Sequence, residues 1–410
     1  MGGLAVLLHD GFYGCGTGAG HSNRALLQVL IHRYPHARLR LMPVHVSSTS
    51  TEYNPSWHQD TQSLLADVDV LVTPIDNGTG GTSRFGDLAC FQRASAHAAR
   101  QLNTLPAHER PDLVIAIDTP FHGLPPLLEE DLVGRTLLLP RSTGRLHGPH
   151  DRARIRWEQE GFAHLAERGG YLAAISAHMR THLEDDYALP TTQIIDLPNG
   201  LLPTPDPTGR APELPPAARD GFILAMGRAT PYKGFEDLLE AVALLGREGV
   251  HVPHLLLAAV TETLTPTPYQ RHLERRAHEI GADATVWTRF DPALRGLYAH
   301  PALRALVVPS RAEPFGRIPL EAFAAGAAPV VSTTAGGLVD LVAEGVTGFT
   351  APARDPARLA EALHRGLVLT PLQRAAMVSA GRAFAEALDY DRTVTTALEA
   401  LAPWLSAQSV

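Results

Sequence analysis

Arg228 and Lys233 stand five positions apart in Gly227-Arg228-Ala229-Thr230-Pro231-Tyr232-Lys233-Gly234, directly after the apolar stretch Phe222-Ile223-Leu224-Ala225-Met226. Lys233 is the only lysine among 410 residues; arginine fills every other basic position. A lysine ammonium is a compact point charge with three donors and an arginine fork is planar, so a pair of this kind suits the oxygens of a phosphate. A surface lysine is ordinarily just solvated, but the rarity and position of Lys233 set it apart. A second group is Ser310-Arg311-Ala312-Glu313-Pro314-Phe315-Gly316-Arg317-Ile318-Pro319-Leu320-Glu321, which follows the apolar run Ala305-Leu306-Val307-Val308. Pro319 suits the first turn of a helix, Glu321 is expected within that turn, and Gly326 is a plausible helix end. Two carboxylates flanking a helix start can grip hydroxyls at both ends of a ligand while free backbone amides face the phosphates between them. The blander alternative has Glu321 favouring the helix dipole and Glu313 solvated.

A third candidate is the loop Gly11-Phe12-Tyr13-Gly14-Cys15-Gly16-Thr17-Gly18-Ala19-Gly20, between a first strand and a helix expected near Ser22. Glycines let backbone amides approach an anion. The spacing departs from Gly-x-Gly-x-x-Gly, and no acidic residue stands about 20 positions on to hold a ribose, so a nicotinamide dinucleotide fits poorly. A tight strand-to-helix turn is the structural alternative.

The net charge of −8 disfavours a nucleic-acid surface, so any phosphate is met locally. Cys15 and Cys90 offer neither a disulfide framework nor a metal spacing. The 20 histidines are scattered, and Pro35 breaks the shared face of His32 and His36. Asp67 and Asp69 are expected to be solvated at the start of a strand. No apolar run approaches the roughly 18 to 20 residues that span a bilayer, and Leu4 to Leu8 reads as a strand rather than a signal peptide. A cytoplasmic protein without stable membrane association is expected.

These residues need a scaffold. Short apolar runs alternating with longer amphipathic segments predict α/β architecture with parallel sheets. Strands are expected near Leu4–Leu8, Val68–Val72, Leu113–Ile117, Thr136–Leu139 and Leu172–Ile175, then near Phe222–Met226, Leu255–Val260, Thr285–Trp287, Ala305–Val308 and Pro329–Ser332. The proline-dense stretch 201–219 reads as a linker. It divides residues 1–200 from residues 220–388, each doubly wound, and residues 389–410 read as a C-terminal helix packing back on the first domain.

Arg228-x4-Lys233-Gly234, Glu313-x7-Glu321 and the following Pro329-Val330-Val331-Ser332-Thr333-Thr334-Ala335-Gly336-Gly337 resemble the retaining glycosyltransferases of the GT-B fold, family four. The resemblance covers most of 222–363, and Ile175-Ser176 with Leu197-Pro198-Asn199-Gly200 extends it upstream. It implies two Rossmann-like domains facing a central cleft, with an acceptor bound by the first and a nucleotide-sugar donor, a UDP-sugar in particular, by the second. By this resemblance Arg228 and Lys233 neutralise the diphosphate, and Glu321 holds the ribose. Glu313 holds the sugar with the amides of Phe315 and Gly316, and Arg317 and Ile318 belong to the same donor site. Thr288, Arg289 and Phe290 border the base, and Gly16, Thr17 and Gly18 close over the phosphates.

It also implies catalysis without a cofactor or required metal. One departure stands out: where many relatives place a histidine after the fourth strand of the first domain, this chain has Arg141-Ser142-Thr143. These three are candidates for acceptor binding, and His147 or His122 for the histidine's place. The expected activity is transfer of a hexose, of glucose or N-acetylglucosamine type, to a small soluble hydroxylated acceptor. The Arg-, Ala- and Pro-rich composition resembles that of high-GC bacteria, where such enzymes decorate antibiotics and other secondary metabolites. The competing readings are a nucleotide-sugar epimerase on the same fold and a nucleotide-sugar-binding protein without turnover.

Overall fold

Seven short strands form the sheet of the first unit: β1 Gly3–Leu8, β2 Arg38–Pro43, β3 Val70–Val72, β4 Leu113–Ile117, β5 Thr136–Leu139, β6 Tyr171–Ala174 and β7 Ile194–Asp196. All pair in parallel in the order β3-β2-β1-β4-β5-β6-β7 in this computed structural model, which describes residues 2–408 except 16, 84–86, 203–210, 262, 264 and 328. Strands covered on both faces must be apolar throughout. Accordingly every residue of β1 and β4 is buried.

The second unit is built the same way. Its strands are β8 Phe222–Arg228, β9 His254–Thr261, β10 Ala284–Arg289, β11 Leu303–Val308, β12 Val330–Thr333 and β13 Gly348–Ala351. They run parallel in the order β10-β9-β8-β11-β12-β13. The core gathers Ile223, Ala225, Leu255, Leu257, Ala305 and Val307 under Phe235, Leu238 and Leu239 of the helix Phe235–Arg247.

The chain divides into residues 1–199 with 390–410, and residues 200–389. The C-terminal helix Tyr390–Leu401 packs on the helix Gly18–Arg33 of the first unit, with Tyr390, Val394 and Leu398 buried and Asp391 paired to Arg33 at 2.5 Å. Leu201 bridges to Asp389, and residues 203–210 of the expected linker lie outside the described residues. Three strands come in addition to those expected: β2, β7 and β13. The first helix starts at Gly18 rather than near Ser22, because the Thr17 hydroxyl caps it by accepting from Gly20 N at 3.1 Å. No helix of the described residues is long and apolar enough to cross a membrane.

Candidate active site

Strand order in the second sheet reverses between β8 and β11, and ligands of such sheets bind beyond the carboxyl ends of the strands at that point. Arg228 closes β8, and a single 3-10 turn, Pro231–Lys233, follows. Gly234 then takes φ +70°, and a Cβ there would overlap the Pro309 carbonyl oxygen. That close approach seats the loop after β8 against the loop after β11. Arg311 N donates to Tyr232 O at 2.7 Å, and the Arg311 guanidinium grips Asp237 at 2.5 and 2.7 Å. Gly337 N donates to Glu313 O at 2.8 Å and the Thr333 hydroxyl to Ser310 O at 2.5 Å, so the loop after β12 braces the same segment.

Within this frame the Lys233 ammonium meets the Glu313 carboxylate, with side-chain exposures of 13% and 16%. The Ser310 hydroxyl adds a 3.4 Å contact to the same Glu313 oxygen. Arg228 makes no ion pair with any described residue; its guanidinium carbon lies 5.7 Å from the Tyr232 ring centroid, and the Lys233 nitrogen 5.8 Å from it. Two cations lie near one aromatic ring, and of the two only Lys233 is ion-paired among the described residues, which leaves a net positive spot at the switch point.

Gly316 takes φ +91° and precedes the helix Arg317–Ala325 as its cap residue, without a side-chain cap bond. Glu321 lies in its second turn, not its first, since the helix begins at Arg317. Its carboxylate is held by Arg317 Nε at 3.1 Å and by Arg295 Nε at 3.4 Å. Arg295 and its neighbour Tyr298 were not among the sequence candidates; no motif marks them, and the 3-10 stretch Pro292–Ala299 brings them in. The Tyr298 hydroxyl is buried without a partner among the described residues, and burial, with the Glu321 charge, pushes its phenol well above the ordinary range. Phe290 is 39% exposed and Arg289 is exposed, at the end of edge strand β10.

In the first unit the glycine loop is organised by Asp10, which sequence reasoning also missed. One carboxylate oxygen accepts from Gly11 N at 2.8 Å and the other from the Thr17 hydroxyl at 2.8 Å, while Asn23 Nδ2 donates to Asp10 O at 3.0 Å. Gly18 begins the helix, and Gly16 lies outside the described residues. The signal was the position of Asp10 at the end of an apolar strand.

The segment after β5 is pinned residue by residue. Arg141 is buried and donates to Asn23 Oδ1 at 2.7 Å, Asn199 Oδ1 at 2.5 Å and the Tyr390 hydroxyl at 3.4 Å. Ser142 pairs with His147, Thr143 with His182 Nε2 at 2.8 Å, and Gly144 N donates to Glu158 at 2.7 Å. Arg141 and Thr143 thus face the interior of the unit, whereas Ser142 and His147 are half-buried. His122 is not a surface histidine: it is buried with Nδ1 3.1 Å from Glu158 Oε1. Burial pushes the Glu158 carboxyl up, but His122, Arg154 and Tyr187 outweigh it and hold it at about 2.

Two Rossmann-like units with a charged switch-point site define the GT-B class of architecture. Residues 211–384 match the family described as glycosyl transferases group 1. A D-inositol 3-phosphate glycosyltransferase of Geodermatophilus obscurus is 33% identical over 267 residues, 62% of this chain and 56% of that protein. The chain spans about half the length, or less, of the curated relatives it matches first, at 37% and 56%. Among solved structures, a sucrose-phosphate synthase from Thermosynechococcus elongatus aligns over 100% of both chains with a TM-score of 0.75 at 20% identity. HepE of Anabaena in complex with UDP-glucose aligns over 98% of this chain and 100% of that one, with a TM-score of 0.63 at 18% identity. At such identities the structures speak for the fold. The second unit is thus similar to the glycosyl transferases of group 1, and the fold of the chain is that of the GT-B structures.

Proposed function

We propose that this protein is a retaining hexosyltransferase that moves a glucose- or N-acetylglucosamine-type sugar from a UDP-sugar to a small soluble polyol. The observation that carries the reading is the convergence of Arg228, Lys233 and Glu313 where strand order reverses between β8 and β11. As the sugar–phosphate bond breaks, negative charge gathers on the leaving diphosphate and the sugar becomes cation-like. Fixed cations at the phosphates therefore stabilise the transition state more than the ground state. Arg228 and Lys233 take that role, each charge-assisted contact being worth roughly 1.5 to 3 kcal/mol. Glu313 turns to the sugar hydroxyls, and Glu321 accepts from the ribose while Arg317 and Arg295 hold its orientation.

The reaction needs no enzyme nucleophile if the acceptor attacks from the face the diphosphate leaves, a phosphate oxygen taking its proton. The UDP-glucose complex of HepE supports the donor class, and the relatives named for D-inositol 3-phosphate support that polyol as the first acceptor to test. A role in antibiotic or other secondary metabolism is proposed on composition alone. Incubation with UDP-glucose, UDP-N-acetylglucosamine or GDP-mannose, with and without D-inositol 3-phosphate or myo-inositol, tests the reading. Acceptor-dependent nucleotide release, with product of the donor's anomeric configuration by NMR, is the expected result. Sugar interconversion without an acceptor, or nucleotide binding without release, would turn the assignment to an epimerase or a binding protein.

A further inference from the structure

Lys233 and Glu313 meet across two loops of the second unit, one leaving β8 and the other leaving β11, and Arg311 ties those loops together by backbone and side chain alike. Its backbone N donates to the carbonyl of Tyr232, the residue before Lys233, at 2.7 Å. Its guanidinium reaches to both sides of the lysine. Nη1 donates to Pro231 O, at the start of the 3-10 turn that Lys233 ends, at 3.4 Å. Nε and Nη2 grip the two oxygens of Asp237 at 2.7 and 2.5 Å, and Nη1 lies 3.5 Å from Glu236 Oε2. Glu236 and Asp237 stand in the first turn of the helix that follows Lys233. Arg311 thus brackets Lys233 from the residues before it and the residues after it.

The pairing is of the kind that fixes orientation. A fork-to-fork contact between guanidinium and carboxylate sets angle as well as distance. The two side chains are 19% and 11% exposed, so the pair is largely screened from water. Its hydrogen bonds to Asp237 raise the Arg311 guanidinium above its ordinary range, against the burial that lowers it. Because each of its three nitrogens is engaged by protein, Arg311 cannot take a phosphate oxygen without releasing Asp237. Arg228, which has no ion pair among the described residues, is under no such constraint. Arg311 therefore acts on a ligand through the residues it holds.

Lys233 needs that support because its ammonium ends a flexible four-carbon stem. An arriving diphosphate must draw the ammonium away from Glu313, and a fixed backbone then decides where the charge can reach; a misplacement of about 1 Å costs up to about a hundredfold in a site of this kind. Arg311 also neutralises carboxylates in the helix turn next to Lys233, which would otherwise compete with an anionic ligand for the lysine.

We propose that Arg311, held by Asp237, is a positioning residue of the donor site that aims Lys233 at the diphosphate and keeps the neighbouring helix-start carboxylates from capturing it. This rests on the transferase reading, and titration of UDP separates the two. UDP carries no sugar for Glu313, so its affinity reports on the lysine. It is titrated into wild type, Asp237→Asn, Arg311→Lys, Lys233→Ala and the double variant Lys233→Ala with Asp237→Asn, each shown to be folded by urea unfolding. Asp237→Asn keeps the shape of the side chain, and Arg311→Lys keeps the charge and the backbone bond to Tyr232. Each is expected to weaken UDP about five- to tenfold, while adding Asp237→Asn to Lys233→Ala changes affinity by less than about twofold, because nothing is left to aim. If Asp237→Asn does not fold, Arg311→Lys takes its place in the double variant. A merely structural pair would lower the urea midpoint and leave the UDP affinity of the folded protein as in wild type. That result, or a loss in the double variant that multiplies the two single losses, overturns the positioning role. Absence of UDP binding by wild type overturns the transferase reading instead.

Discussion

At the scale of single residues, opposite charges are used in two ways. Lys233 and Glu313 pair near the surface of their unit, where a ligand can separate them, whereas Glu158 is fully buried with Arg154, His122 and the Tyr187 hydroxyl around it. A buried carboxylate whose pKa falls from 4.5 to about 2 contributes stability that is complete above 4.5 and is lost as pH drops through that window. The shift corresponds to on the order of 3 kcal/mol. Glu158→Gln is therefore expected to be less stable than wild type at pH 6, with the difference narrowing by about 2 kcal/mol or more at pH 3, read from urea unfolding. A gap that stays constant with pH would assign the group a steric role. Residue types at this scale were largely legible: the lone lysine and the spaced glutamates stood out. The direction of a side chain was not, and Arg141 shows why. Nothing in Pro140-Arg141-Ser142 reveals that Asn23, Asn199 and Tyr390, distant in sequence, will converge to satisfy a buried guanidinium.

At the scale of elements, loop geometry does the positioning, and glycines make it possible where backbones nearly touch. Gly234→Ala places a methyl against the Pro309 carbonyl at a positive φ and is expected to cost more than about 2 kcal/mol. Gly246→Ala, in the last turn of the helix Phe235–Arg247 with open space at its Cβ, is expected to gain about 0.5 kcal/mol. Chemical denaturation of the two variants measures both, and equal effects would remove the packing argument. Strands with unbroken apolar runs were readable because burial on both faces forbids polar residues. β2 was missed because Arg38 and Arg40 alternate with Leu39 and Leu41, a half-exposed pattern that lacks the run. β7 is three residues at a sheet edge and β13 opens on Gly348, so neither carries enough apolar length to declare itself. The sheet orders, and with them the switch points, follow from pairings between segments far apart in sequence, which no local pattern encodes.

At the scale of the whole molecule, each unit carries its own core, and the chain's last helix belongs to the first. Leu398 is fully buried there beside Val394. Leu398→Ala is expected to cost about 2 to 5 kcal/mol. The effect should appear as faster hydrogen exchange in peptides from Gly18–Arg33 and Tyr390–Leu401, with peptides from β8 and β11 unchanged; equal acceleration in both units would mean that the cores are not separate. The central claim, that the second unit binds a nucleoside diphosphate through Arg228 and Lys233, is tested most directly by calorimetric titration of UDP into wild type, Lys233→Ala and Lys233→Arg. Binding by wild type is expected, with at least tenfold weaker binding by Lys233→Ala and only partial recovery by Lys233→Arg, since a planar fork cannot take the place of a point charge. Wild-type affinity in all three would contradict that claim.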